Sequence, residues 1–194
     1  MQRLESPDRY KQHDPAELFS KVVLKKGETV ADLGCGTGFF TIPAAKIIGN
    51  SGVVLAVDRV PEVIAILKRK LDALRDTNIK IIEADVTATG IEDGTVDTVL
   101  MANIFHDVDK RVMVSELQRI LKPTCRVIIL DWKKGVDIRA NGPPAELRIT
   151  PEEVSSILEK EGSWKVTDHF DISPSHYVVV AVGRTRARLM TARR

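Results

Sequence analysis

Three carboxylates and three glycines stand at spacings that suit the binding of a nucleotide-like ligand. The segment Val30-Ala-Asp-Leu-Gly-Cys-Gly-Thr-Gly-Phe-Phe40 places Asp32 two residues before Gly34, with Gly36 and Gly38 following. Asp58 lies 20 residues beyond Gly38, and Asp85 stands in Ile82-Glu-Ala-Asp-Val86. Glycines at such positions let the chain turn sharply and come close to a ligand, and a helix N-terminus behind them offers N–H groups to a negative group. A carboxylate at Asp58 can accept both hydroxyls of a ribose. A dinucleotide fingerprint would need a glycine where Phe39 stands, and a phosphate-binding Walker loop would need G-K-S/T, which is absent. An acid at a strand end also reads as a loop or helix cap.

These residues need a scaffold that brings distant loops together. Short β-branched runs at Thr29–Leu33, Val53–Val57, Ile79–Ile82, Val96–Met101 and Arg126–Leu130 read as buried strands. Helical spacing separates them, as at Val63, Leu67, Leu71 and Leu74, then Met113, Leu117, Ile120 and Leu121. A helix is expected from Pro15 to about Leu24 and another from Phe39 to about Ile48. Thr150-Pro-Glu-Glu153 spells a capping box with proline at the first helical position, and Gly162 ends that helix. Strands around Trp164–Phe170 and His176–Val182 are joined by a loop too short for a crossover, so they must be antiparallel. The expectation is an α/β fold: a doubly wound, seven-stranded, mostly parallel sheet with its last strand antiparallel.

The D-x-G-x-G-x-G spelling, Asp58, Asp85, Asn103 after the fourth strand and the Leu121-Lys-Pro123 turn together resemble the class I S-adenosylmethionine-dependent methyltransferases, in particular the small ubiquinone-biosynthesis-like, type 11 group. The resemblance runs from about Leu24 to Arg184 and implies a Rossmann-like methyltransferase fold with S-adenosylmethionine as cofactor. It implies that Asp58, with Arg59 beside it, serves the ribose, that Asp85 and the Val86 N–H serve the adenine, and that Asp32 and the amides of Gly34, Cys35, Gly36 and Gly38 serve the amino-acid end. Asn103 to His106 would line the transferring methyl group. Cys35 reads as a small packing residue rather than a nucleophile, since no histidine is near it in sequence.

The methyl acceptor is the harder question. Methyltransferases acting on nucleic-acid bases carry Asn-Pro-Pro-aromatic where Asn103-Ile-Phe-His106 stands here, which argues against a base. His106 reads equally as a general base and as a positioning group. Asp131 and Trp132, at the end of the fifth strand, are expected to face the acceptor, although Trp132 also reads as a rim core residue. Asn141-Gly-Pro-Pro144 and Arg148 fall in the long segment after that strand, a stiff wall for a small pocket. A small-molecule acceptor is the default; an RNA acceptor and a nicotinamide-dependent oxidoreductase are the alternatives.

Composition bounds the rest. The 194 residues are 43% hydrophobic and 29% charged, which excludes a disordered or fibrous protein. Residues 1–184 are expected to form one methyltransferase domain, with a cofactor half over 28–105 and a substrate-side half over 106–184. Five of the 29 basic residues lie beyond Gly183; upstream of it 27 acids outnumber 24 bases. Residues 185–194 therefore form a basic tail, read as a solvated terminus or as a recruiting arm for RNA, and the acidic body speaks against a broad nucleic-acid face. No apolar run suits a membrane span or a signal peptide, and Cys35 and Cys125 make neither a disulfide framework nor a zinc cluster. A cytoplasmic monomer or homodimer is expected.

Overall fold

A computed structural model describes residues 8–74, 78–136, 142–162 and 164–183. The expected basic tail, Arg184 and Asn141 lie outside the described residues. Seven strands form one sheet: β1 (Thr29–Leu33), β2 (Val53–Asp58), β3 (Ile79–Glu83), β4 (Val96–Ala102), β5 (Leu121–Trp132), β6 (Trp164–Asp171) and β7 (His176–Gly183). Their order is β3-β2-β1-β4-β5-β7-β6. Pairing is parallel from β3 through β5, and β7 runs antiparallel to both β5 and β6. This is the doubly wound sheet with a reversed last strand that the sequence predicts.

Six helices flank it: α1 (Asp8–His13), α2 (Pro15–Lys21), α3 (Thr41–Ile48), α4 (Pro61–Leu74), α5 (Lys110–Ile120) and α6 (Pro151–Lys160). Alternate residues of the central strands serve opposite faces. Val30, Leu100, Ile128, Leu130 and Val178 pack with Leu18, Phe40, Ala44 and Ile48 on one face. Ala31, Val99, Met101, Val127, Ile129 and Val179 pack with Met113, Leu117, Val154 and Leu158 on the other. Both faces being covered, the strands read as continuous apolar runs rather than alternating ones. The capping box of α6 forms in both directions: Thr150 Oγ1 accepts the Glu153 N–H at 3.2 Å, and Glu153 Oε2 accepts the Thr150 N–H at 2.7 Å.

Four local expectations are corrected. Leu121-Lys-Pro123 is not a turn but the start of β5, where pairing slips from Val96↔Leu121 to Thr98↔Arg126. Pro123 has no N–H to give a ladder, and such an irregularity is where a strand tolerates it. Helix α2 ends at Lys21, not near Leu24, and α3 begins at Thr41 because Phe39 and Phe40 are still in the turn. Helix α1 was not expected at all. No helix among the described residues is long and apolar enough to cross a membrane.

Candidate active site

The order β2-β1-β4 means that the chain leaves β1 to one side and β4 to the other, opening a crevice at their carboxyl ends. A cavity of about 1190 Å³ lies there. That exceeds the roughly 300–1,000 Å³ of a site for one small molecule, so two can be held side by side.

One end is built from the loops after β1, β2 and β3. Asp58 Oδ2 accepts the Gly36 N–H at 2.8 Å, and its Oδ1 accepts the Val60 N–H at 3.0 Å. A carboxylate has about four acceptor sites, so two such bonds orient Asp58 and leave capacity for two hydroxyls. Asp85 Oδ1 accepts both the backbone N–H and the hydroxyl of Thr87, at 2.9 and 2.7 Å. Those bonds, the backbone one foremost, hold its carboxyl below the usual carboxylate range. Arg59 reaches across to Asp85 Oδ2 at 3.0 Å, an ion pair at the exposed rim. Val86 lines the cavity beside them.

The glycine loop supplies space rather than donors. The N–H groups of Gly34 and Cys35 both go to the Val57 carbonyl, at 2.8 and 2.9 Å, that of Gly36 to Asp58, and that of Gly38 to the Cys35 carbonyl at 3.0 Å. The expected amide cradle at these four residues is therefore spent on the fold itself, because the tight turn must satisfy its own buried backbone. Gly38 has φ +84°, and a Cβ there would lie 2.5 Å from Leu67 Cδ1, so a side chain is excluded twice over. The Cys35 thiol is buried and pushed far up from its ordinary value by that burial, which leaves it protonated and inert.

Asp32 is buried at the floor, where its Oδ2 accepts the Thr41 hydroxyl at 2.5 Å. Burial pushes its carboxyl up to about 6, against the opposing pull of that hydroxyl. Two more polar atoms at this floor are buried and unpartnered, Asn103 Oδ1 and Thr37 Oγ1. Asn103, with φ 59°, is the one residue other than glycine in the left-handed region among the described residues. Orphaned polar atoms and a strained residue at a cavity wall point to a ligand that satisfies them.

The other end is formed after β4 and β5. His106 sits in a single 3-10 turn (Phe105–Asp107), and its Nδ1 lies 2.7 Å from Asp131 Oδ1. The His106 N–H donates to Asp131 Oδ2 at 3.0 Å, and the Trp132 N–H donates to Oδ1 at 2.8 Å. Lys110 Nζ donates to the His106 and Val108 carbonyls at 3.2 and 2.7 Å, pinning the turn. Asp131 was expected to face the acceptor; it is instead wholly buried behind His106. The histidine stands between that carboxylate and the cavity. Trp132 lines the cavity wall opposite Gly142, Pro143 and Pro144. Arg148 does not line it: its guanidinium donates to the Pro143, Val136 and Lys133 carbonyls and so holds that wall from behind.

Sequence reasoning missed the contribution of α1, which brings Arg9, Gln12 and His13 to the cavity. A six-residue helix has too few turns for an apolar period to show. Its only signal is the Asp14-Pro15 cap of the next helix. His13 and His176 are both buried, their rings 4.6 Å apart, and the His176 ring lies 4.0 Å from that of Trp132. Burial holds His13 down at about 4 and His176 at about 3, so both are neutral.

Comparison with known proteins bears on what this cavity holds. Residues 30–124 match the family described as "Methyltransferase domain". The solved structure of a SAM dependent methyltransferase from Aquifex aeolicus is 31% identical and superposes with a TM-score of 0.84, covering 93% of this chain and 95% of that one. A putative type 11 methyltransferase from Sulfolobus solfataricus is 28% identical, with a TM-score of 0.73 over 91% of this chain and 95% of its own. Among curated proteins, the demethylmenaquinone methyltransferase of Lactococcus lactis is 30% identical over 125 residues, 63% of this chain. The chain spans about half the length of the curated relatives it matches, 50% in that case.

Proposed function

The chain belongs to the S-adenosylmethionine-dependent methyltransferase family, and from that premise we propose that it methylates a small molecule bound beside His106. The observation that carries this reading is the single cavity joining a nucleoside-type end, at Asp58 and Asp85, to a buried histidine–aspartate pair, His106–Asp131.

The residues present fit the cofactor. Asp58 would take the ribose hydroxyls, Val86 and Asp85 would meet the adenine, and Asp32 would face the ammonium of the amino-acid end. The orphaned Asn103 Oδ1 and Thr37 Oγ1 are further acceptors at the same floor. When bound, S-adenosylmethionine supplies an electrophilic methyl group on a sulfonium.

The protein's own work is alignment, exclusion of water and movement of one proton. Asp131 accepts three N–H groups, among them His106 Nδ1–H. With its proton held at Nδ1, His106 keeps a lone pair at Nε2 for the acceptor's proton. The buried Asp131 carboxylate then stabilises the imidazolium that forms. Trp132, Pro143 and Pro144 offer flat apolar surface to a compact acceptor. A cytoplasmic setting suits the two free, buried cysteines.

The test is a panel of small hydroxyl, amine and carbon-acid acceptors incubated with S-adenosylmethionine, reading release of S-adenosylhomocysteine. Turnover of a panel member, lost in His106→Ala, supports the proposal. Turnover only with RNA would move the acceptor to another class, and a thermal shift with NAD but not with S-adenosylhomocysteine would refute the cofactor reading.

A further inference from the structure

Helix α1 is not used by the chemistry above, yet three of its six residues line the cavity. Its cation stands where the cofactor end of the cavity meets the acceptor end. The Arg9 guanidinium carbon lies 4.1 Å above the centroid of the Phe39 ring. Phe39 is two residues before Thr41, whose hydroxyl is bonded to Asp32. Arg9 and Asp32 therefore flank the start of α3, one on each side of the glycine loop's exit, and both face the same cavity.

A guanidinium stacked on an aromatic face is fixed in orientation and directs its N–H groups outward in its own plane, a geometry that matches a carboxylate. Arg9 Nε is oriented further by His13 Nε2, 3.5 Å away. The His13 ring is neutral, so it adds no second positive charge beside Arg9. The Arg9 charge also reaches the carboxyl of Asp32 and favours its ionised form. One cavity end thus presents a buried carboxylate and an oriented cation.

We propose that Arg9 binds the carboxylate of the cofactor's amino-acid end, so that α1 and Asp32 together grip its two opposite charges. This rests on the reading of the cavity as an S-adenosylmethionine site. The loop amides of Gly34, Cys35, Gly36 and Gly38 are spent within the fold, which leaves that carboxylate in need of a donor from elsewhere in the wall. Arg9 is the cation on the Asp32 side of the lining; the other arginine there, Arg59, is paired with Asp85 at the opposite end. A further consequence is order: the cofactor's carboxylate fastens α1 over the cavity, so the wall that includes His13 and Gln12 is secured by cofactor before acceptor enters.

Two ligands separate the proposal from its alternatives: S-adenosylhomocysteine, and the same molecule without its carboxylate, which keeps the ammonium and the nucleoside. Both are titrated calorimetrically into the wild-type protein, Arg9→Gln and Arg9→Lys. Arg9→Gln should weaken S-adenosylhomocysteine binding roughly 10- to 100-fold while the decarboxylated ligand stays within about twofold, and Arg9→Lys should recover part of the loss. The melting temperature without ligand should not move, which shows that the variant is folded. Equal loss of both ligands would make Arg9 a packing residue of α1, and no loss of either would remove it from the site; each overturns the proposal. A wild-type protein that binds neither ligand overturns the cofactor reading itself.

Discussion

The carboxylate of Asp131 holds His106 at two points, accepting its Nδ1 at 2.7 Å and its backbone N–H at 3.0 Å, across 25 residues of sequence. Gripping both ring and backbone fixes the turn after β4 relative to the end of β5 and dictates which ring nitrogen faces the cavity. Nothing in the spacing of the two residues announces this. It follows from β4 and β5 being parallel neighbours, with Met101 beside Ile129 and Ala102 beside Leu130, so that both chains emerge at the same edge.

The pair should behave as a unit. Asp131→Asn and His106→Gln should each lower the methyl-transfer rate roughly 100-fold, with the double variant little worse than either. S-Adenosylhomocysteine affinity should stay within about twofold. A base also predicts that the His106→Gln deficit shrinks at high pH, where the acceptor loses its proton unaided. Additive losses in the double variant would contradict the pairing, and a pH-independent deficit would leave His106 as a positioning group.

Asp32 should couple cofactor binding to pH. Burial raises its carboxyl from 3.8 to about 6 in the fold. The stability it contributes is therefore complete below about pH 3.8 and lost as pH rises through about 6, at a cost of up to about 3 kcal/mol in the ligand-free protein. An ammonium bound beside it favours the carboxylate, so S-adenosylhomocysteine affinity should rise between pH 5 and 7. Asp32→Asn should bind weakly and with no such rise. Titrations at a series of pH values, in wild type and variant, decide the point.

The histidine pair should set the onset of acid unfolding. His13 and His176 are held at about 4 and about 3 by burial, with neighbouring positive charge acting in the same direction. Their folded values lie below the unfolded one, so the stability they contribute is complete above about pH 6.5 and falls away as pH drops towards 4. A single histidine kept neutral to about pH 4 accounts for about 3 kcal/mol over that range. Replacing His176 with Phe should flatten the melting temperature between pH 7 and 4.5. An unchanged slope would show that the pair is not the acid-sensitive element.

Much of this architecture is legible from residue type and spacing because it is local. The β1 strand, the turn at Gly34 to Gly38 and helix α3 are contiguous, and Gly38 is demanded by a positive φ and by Leu67 close above it. The strand runs are legible because both faces of the sheet are covered. What is hidden depends on contacts distant in sequence. Asp131 sits at a strand edge like an acceptor-facing residue, yet the antiparallel partner Tyr177 and the returning His106 bury it. Glycine-rich spelling likewise does not reveal that the loop amides turn inward to Val57 and Asp58. Helix α1 is too short to show a period, so Arg9 and His13 become visible only once Phe39 and Phe40 are seen packed against them.

The same loop predicts a severe defect from a small change. Gly38→Ala adds one methyl group at φ +84°, against Leu67. A loss of at least about 2 kcal/mol in stability is expected, from backbone strain and overpacking together. Denaturant unfolding of the variant measures it; a loss below about 0.5 kcal/mol would mean that the loop relaxes and that the glycine is not required for packing.

The most direct measurement is a calorimetric titration of S-adenosylhomocysteine into the protein and into Asp58→Ala. Asp58 is oriented by the Gly36 and Val60 N–H groups, so removing its carboxylate should delete an ordered, charge-assisted contact to the ribose. The expected result is one site per chain in the wild type and an affinity 10- to 100-fold lower in the variant, equivalent to about 1.5–3 kcal/mol. Equal affinity in the two proteins, or no binding by the wild type, would contradict the account.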